Sequence, residues 1–190
     1  ERHDNWPSEP QHEFLADEVW KNTAYGCNVI YDHGHHGNAI LSSFPILRTF
    51  NQDVTQLRFE RRGMLHCAIT IPGWTRPLHC VCVHLSLFGR SRRKQMEALA
   101  EQLETWLPHD DPLIIAGDFN DWRNRADNLL LDRLGMTEIF GGIAGLPPKS
   151  FPSALPMFRL DRIYVRGFQI ASTTVHFGPP WSKISDHAAL

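Results

Sequence analysis

The sequence predicts a single domain of mixed α/β class, and three observations carry that expectation. Short apolar stretches rich in β-branched residues recur, notably Val81-Cys82-Val83, Leu113-Ile114-Ile115-Ala116 and Leu160 to Val165, each bounded by polar or turn residues as strands are. Between the first two, Met96, Leu99, Ala100, Leu103, Trp106 and Leu107 fall on one helical face of Ser91 to Leu107. With 42% apolar and 21% charged residues over 190 positions, the chain has the composition of a globular protein and the length for one real core. No linker, repeat or low-complexity segment divides it, so residues 1–190 are read as one domain.

Taken in order, residues 1–12 are polar and carry two prolines, and Phe14, Leu15, Val19 and Trp20 predict a short helix from Glu13 to Trp20. Two strands, Cys27 to Tyr31 and Ala39 to Ser43, flank a Gly-rich turn holding His33, His35 and His36, which by itself fixes no coordination geometry for a metal. Val54 to Phe59 and Met64 to Ile71 predict a hairpin across Glu60-Arg61-Arg62-Gly63. Leu78 to Leu85 follows beyond a Pro/Gly turn; pairing Ile71 with Leu78 would set Cys67 opposite Cys82. After the Ser91–Leu107 helix and the strand at Leu113, a second helix runs from Asn124 to Leu134 and stops at Gly135. A Gly/Pro-rich loop, a strand at Leu160 to Val165, another near Phe168 to His176 and a final loop complete the chain.

Bulk properties exclude some roles. A formal net charge of -2 argues against a protein that grips nucleic acid chiefly by charge. No apolar run approaches the ~20 residues of a membrane helix, and no signal peptide is seen. Cys27, Cys67, Cys80 and Cys82 sit within apolar strands, so they read as reduced, buried thiols rather than a disulfide framework or a zinc site, which favours a cytoplasmic home.

The chemistry gathers at strand ends. In Gly117-Asp118-Phe119-Asn120, an extended backbone sends Asp118 and Asn120 to one side and Phe119 to the core. Asp118 can serve a metal ion or a water, and the Asn120 amide can donate to a phosphate oxygen. His84 ends another strand, and Ser185-Asp186-His187 closes a Pro-rich loop. Asp186 and His187 are neighbours and face opposite ways, so His187 needs another acid, and Asp161, otherwise unexplained in an apolar strand, is the candidate. Arg92 and Arg93 lie in the first turn of the long helix, where cations oppose the helix dipole by roughly 0.3–1 kcal/mol each, a cost more readily tolerated if a phosphate visits. There is no Gly-x-Ser-x-Gly elbow and no loop cysteine beside a base, so a metal with imidazoles fits this inventory better than covalent catalysis.

Gly-Asp-Phe-Asn, then Asp-Arg-Ile, then a near-terminal Ser-Asp-His, in that order, resembles the endonuclease/exonuclease/phosphatase family from about Gly37 onward, and most closely an uncharacterised bacterial branch of it. Gly37 to Ser42 matches a further stretch, placing that loop beside the site. The resemblance implies a DNase I-like α+β fold, a four-layered β-sandwich flanked by helices. It implies a metal-dependent phosphoesterase hydrolysing a phosphodiester or phosphomonoester in nucleic acid, a phospholipid headgroup or a small molecule. Asp118, Asn120, Asp161, His187 and His84 would then be catalytic, Asn120, His84, Arg92 and Arg93 would hold phosphate, and Asp118 and Asp186 would bind Mg²⁺ or Mn²⁺. The family's opening strands, one bearing Asn and one ending in Gln-Glu, are not found, so the chain is read as truncated at its N-terminus and slightly at its C-terminus. The alternative is therefore a non-catalytic binding or scaffold member, or an inactive fragment. Substrate identity, metal identity and oligomeric state are not written in these residues, though an edge strand left unpaired could recruit another chain.

Overall fold

The computed structural model describes residues 20–32, 34–122, 126–141 and 146–190. The helix expected from Glu13 to Trp20 lies outside them, apart from its last residue. Two sheets form the scaffold. β1 (Asn22–Tyr31) and β2 (Gly34–Ser42) make an antiparallel hairpin, and six strands form the second sheet in the order β3-β4-β5-β6-β8-β7. These are β3 (Ile46–Asp53), β4 (Gly63–Ile69), β5 (Leu78–His84), β6 (Leu113–Asp118), β7 (Thr137–Glu138) and β8 (Asp161–Arg166). All neighbours in it are antiparallel except β5 and β6, which run parallel because α1 (Gly89–Trp106) returns the chain between them. The second helix, α2 (Ala126–Leu134), packs against α1.

Alternation along the central strands sorts their side chains between two cores. On one face Met64, Val81, Val83, Leu113, Ile115 and Tyr164 meet Leu99 and Leu103 of α1 and Leu130 of α2. On the other, Leu65, Cys67 and Ile69, with Cys80 and Cys82, meet Ala24 and Ile40 of the hairpin. The result is an α+β sandwich of helices, sheet and second sheet. Buried Asn38 of β2 bridges the two sheets, its Nδ2 donating to the carbonyls of Gly63 at 2.8 Å and Cys82 at 3.1 Å.

Four elements differ from the sequence expectation. The partner of β4 is β3, Ile46 to Asp53, and not Val54 to Phe59. Residues 54–62 instead form a loop closed by Val54 N–H to Arg62 O at 3.0 Å. As an edge strand, β3 keeps Arg48, Thr49, Asn51 and Gln52, and so lacks the apolar alternation that marks a buried strand. In the next hairpin Leu78 pairs with Ile69, so Cys67 faces Cys80 and not Cys82. The strand ends early because Thr70 N–H turns away to Pro45 O at 2.9 Å. Phe168 to His176 is no strand and makes a single bridge, His176 with Ala189. The two-residue β7 follows Gly135, which adopts φ +61 after the end of α2.

Candidate active site

The register of the central sheet sets three functional groups in one row. His84 of β5 pairs with Asp118 of β6, and Asp118 pairs with Asp161 of β8. All three project toward the hairpin side, opposite the helices: His84 is two residues from Cys82 of the hairpin-side core, and Asp118 and Asp161 are an odd number of residues from Ile115 and Tyr164 of the helix-side core. Gly117 lets β6 close on β5. It adopts φ +140, and a Cβ there would sit 1.9 Å from the Val83 carbonyl oxygen. Beyond the row, Phe119 is fully buried against Tyr164 and anchors the turn. Asn120 takes the left-handed conformation, φ +49, with its N–H donating to Asp118 Oδ1 at 2.8 Å and its Nδ2 to Leu85 O at 2.9 Å. Buried Arg162 props this turn from below, donating to the carbonyls of Arg159, Asp161 and Asp121.

His187 arrives from the last loop. Its Nδ1 lies 2.7 Å from Asp161 Oδ2, and its ring packs on Phe151. Backbone bonds hold the loop, from Ala188 N–H to Ser150 O and from Ser153 N–H to Asp186 O, both at 2.7 Å. With Nδ1 on the carboxylate, Nε2 is the nitrogen left for chemistry. Asp186 is exposed, and its charge, with those of Asp161 and Asp118, helps raise the His187 pKa.

Electrostatics separates the two imidazoles. The hydrogen bond that His187 donates to Asp161 raises the His187 pKa above its ordinary value. Burial, followed by the Arg62, His36 and His187 charges, pushes His84 down to about 3, so it is neutral across the working range. Its Nε2 lies 3.5 Å from Asp118 Oδ2. Burial and the neighbouring Asp161 push Asp118 up to about 6. The His187 and Arg62 charges offset this only in part, and a hard cation would add positive charge.

Two residues here escaped the sequence reading. Arg62, held by Glu60 Oε1 at 3.2 Å and Leu85 O at 3.3 Å, is the guanidinium whose charge acts on both His84 and Asp118. Glu60 also accepts from the Ser86 hydroxyl and the Leu87 N–H. His36, two residues before Asn38 on β2, meets His84 edge-on at 5.6 Å between ring centroids. The run Arg61-Arg62 before a strand was the available signal for the first; nothing in the sequence singled out His36 from His33, which lies outside the described residues, or His35, which bonds Tyr25. Arg92 closes the turn before α1, donating to the Ser86 and Leu87 carbonyls, and exposed Arg93 pairs with Glu97.

Asp118 and Asp186 offer hard oxygen donors, the type that binds Mg²⁺ through one or two carboxylates while water and phosphate fill the remaining positions. Among the described residues no group of three or more His, Cys, Asp and Glu side chains is arranged to hold a metal.

Comparison with known proteins follows the same line. The sequence model of the Endonuclease/Exonuclease/phosphatase family matches residues 3–187. An uncharacterized protein of Escherichia coli K12, YbhP, is 43% identical over 187 residues, spanning 98% of this chain and 74% of its own. An endonuclease/exonuclease/phosphatase structure from Beutenbergia cavernae superposes with a TM-score of 0.69 at 16% identity over 93% of this chain, which spans 54%, about half, of that one. A mannosyl-6-phosphatase from Bacteroides thetaiotaomicron gives 0.67 at 15% identity, covering 94% of this chain and 78% of its own. At such identities the two structures share the fold.

Proposed function

This chain belongs to the endonuclease/exonuclease/phosphatase family of phosphoester hydrolases, and from that premise we propose that it carries the site of a metal-dependent phosphoesterase. The observation that supports this best is the row His84–Asp118–Asp161 with His187 bound to Asp161 at 2.7 Å. It puts a tautomer-fixed imidazole, a cation-seeking carboxylate and a neutral imidazole at one strand edge.

In this reading His187 is the general base. Asp161 accepts a hydrogen bond from Nδ1–H, and Nε2 takes a proton from the attacking water as its oxygen bonds phosphorus and the P–O bond to the leaving group breaks, leaving His187 as the imidazolium beside the Asp161 carboxylate. Asn120, with a second amide hydrogen beyond the one on Leu85 O, and neutral His84 donate to non-bridging phosphate oxygens. Arg62 adds positive charge there, whereas Arg92 and Arg93 would have to leave the Ser86 and Leu87 carbonyls and Glu97 to become further phosphate contacts. Mg²⁺ or Mn²⁺, held by Asp118 and Asp186, would neutralise charge on the phosphoryl group, and members of this family are generally divalent-metal dependent. Substrates of three kinds match this chemistry: nucleic acid, a phospholipid headgroup and a small phosphoester. The near-neutral charge weighs against reliance on bulk attraction to nucleic acid.

The test is turnover of bis(p-nitrophenyl) phosphate and p-nitrophenyl phosphate by metal-stripped protein, before and after adding Mg²⁺ or Mn²⁺. Release of nitrophenolate only with metal is the expected outcome, and the better substrate assigns diesterase or monoesterase. Silence on both substrates at every metal concentration would favour a binding or scaffold role.

A further inference from the structure

A second polar cluster lies away from the row just described. His79 opens β5, five positions before His84 and roughly 16 Å away along the strand, on the opposite, helix-facing side of the sheet. Its Nδ1 is 2.9 Å from Nε2 of His66 on β4, and its Nε2 is 3.4 Å from Asp111 Oδ2. Asp111 is fixed in turn by Arg76, whose Nη1 reaches Oδ1 at 3.3 Å. All three relay groups are buried.

The order of protons in this relay follows from its end. A carboxylate paired with Arg76 accepts, so His79 carries its proton on Nε2. Neutral His79 then accepts at Nδ1, so His66 donates from Nε2. Neutral His66 is left with Nδ1 as a bare acceptor, and among the described residues no hydrogen bond reaches it. Burial favours the neutral form at both rings, and His66 is held down to about 4.

His66 and His79 line a cavity of about 850 Å³ between β3, β4 and the end of α1. Trp106 forms one wall, stacked on His66 at 6.3 Å and 30°, and Phe50 meets Trp106 edge-on at 4.9 Å. Half-exposed Phe50 and Leu47 sit at the rim, with Arg48 between them in sequence. A flat aromatic face, apolar walls and one oriented acceptor are the parts of a small-molecule site, and the volume is in the range of such sites.

We propose that this cavity is a second ligand site, built to take a small planar aromatic molecule bearing an N–H or O–H donor. The ring stacks on Trp106 and the donor meets the acceptor nitrogen that the Asp111–His79 relay leaves on His66. Phe50 closes the edge. Nothing in this site overlaps the phosphoesterase residues, so the proposal stands apart from the reading of that centre.

Isothermal titration of the protein with indole, and with 1-methylindole as the donorless control, tests it. Saturable binding of indole is expected, weakened about ten- to a hundredfold in 1-methylindole, which would bury the acceptor unpaired. His66→Phe keeps the stack and removes the acceptor, so the folded variant should lose the preference for indole, with a lowered melting temperature because His79 Nδ1 is left unpaired. A ¹⁵N spectrum of the wild-type His66 ring, independent of that variant's folding, should show Nδ1 unprotonated. Absence of indole binding, equal affinity for the two probes, an unaltered preference in a folded His66→Phe, or a proton on Nδ1 would each overturn the assignment.

Discussion

At the scale of single residues, the site is a set of opposed pKa shifts. His187 is raised chiefly by its hydrogen bond to Asp161. A base must be neutral to act, so the acidic limb of the kcat/KM profile should lie above the ordinary imidazole value of about 6.5. Asp161→Asn should move that limb to lower pH and reduce the rate about 10²- to 10⁴-fold, as loss of an oriented base does. A limb unmoved in Asp161→Asn would show that His187 is not the titrating group. The same shift has a stability sign. A raised imidazole stabilises the fold below the unfolded value and loses that contribution as pH rises through the folded pKa.

Asp118 works the other way. Its carboxyl is raised to about 6, so its charge costs nothing below the ordinary value of 3.8 and its full amount above about 6. That amount is about 3 kcal/mol for a group this buried. In metal-free protein, Asp118→Asn should therefore raise stability at pH 7.5 by about 1–3 kcal/mol in a urea titration while removing turnover. Asn Oδ1 still accepts from the Asn120 N–H, so the turn survives. A destabilised variant would contradict the account of Asp118. Much at this scale was legible beforehand. The acid and imidazole of Asp161 and His187 could be matched because a lone Asp in an apolar strand needs a partner, and a base beside Asp186 on an extended chain needs a different acid. Arg62 and His36 were not legible, because their approach to His84 depends on how the loop before β4 and the hairpin fold over the sheet.

At the scale of elements, the site depends on the spacing of β5 and β6. Gly117→Ala would combine φ +140 with a Cβ 1.9 Å from the Val83 carbonyl oxygen, so the strands must part. A loss of at least about 2 kcal/mol is expected in denaturant midpoint analysis, with activity falling as the row misaligns. Wild-type stability in that variant would mean the close approach does not matter. In α1, Leu103 is buried against the sheet, and Leu103→Ala should cost about 2–5 kcal/mol by the same measurement. The strands that carry chemistry were readable as short, largely apolar runs between turns; β5 has side chains in both cores, and β6 and β8 bury one face against the helices. The edge strand β3 was missed for the opposite reason, since Arg48, Asn51 and Gln52 keep contact with water or the hairpin and break the pattern. Strand register was partly legible. The two-residue offset that pairs Cys67 with Cys80 comes from Thr70 bonding Pro45, a contact between segments far apart in sequence.

For the whole molecule, one sheet separates the two proposed sites on its opposite faces. The helix-side core supports the relay to His66, and the hairpin-side face bears the phosphoesterase row. Among the described residues no helix is long and apolar enough to cross a membrane. The α+β sandwich could be anticipated from motifs in the right order, whereas the packing of the hairpin through Asn38 needed the fold itself. The proposed cation binding would be a property of the folded whole. Mg²⁺ or Mn²⁺ should raise the melting temperature, and the rise should grow as pH increases through about 6 and vanish in Asp118→Asn.

In the proposed mechanism the Asp161–His187 pair drives metal-dependent phosphoester hydrolysis. The most direct test is initial-rate hydrolysis of bis(p-nitrophenyl) phosphate with saturating Mn²⁺, comparing the full-length wild-type protein with its His187→Ala variant at equal thermal stability. The account predicts turnover in the wild type and a loss of about 10²-fold or more in the variant. Equal rates in the two proteins, or no metal-dependent turnover in the wild type, would contradict it.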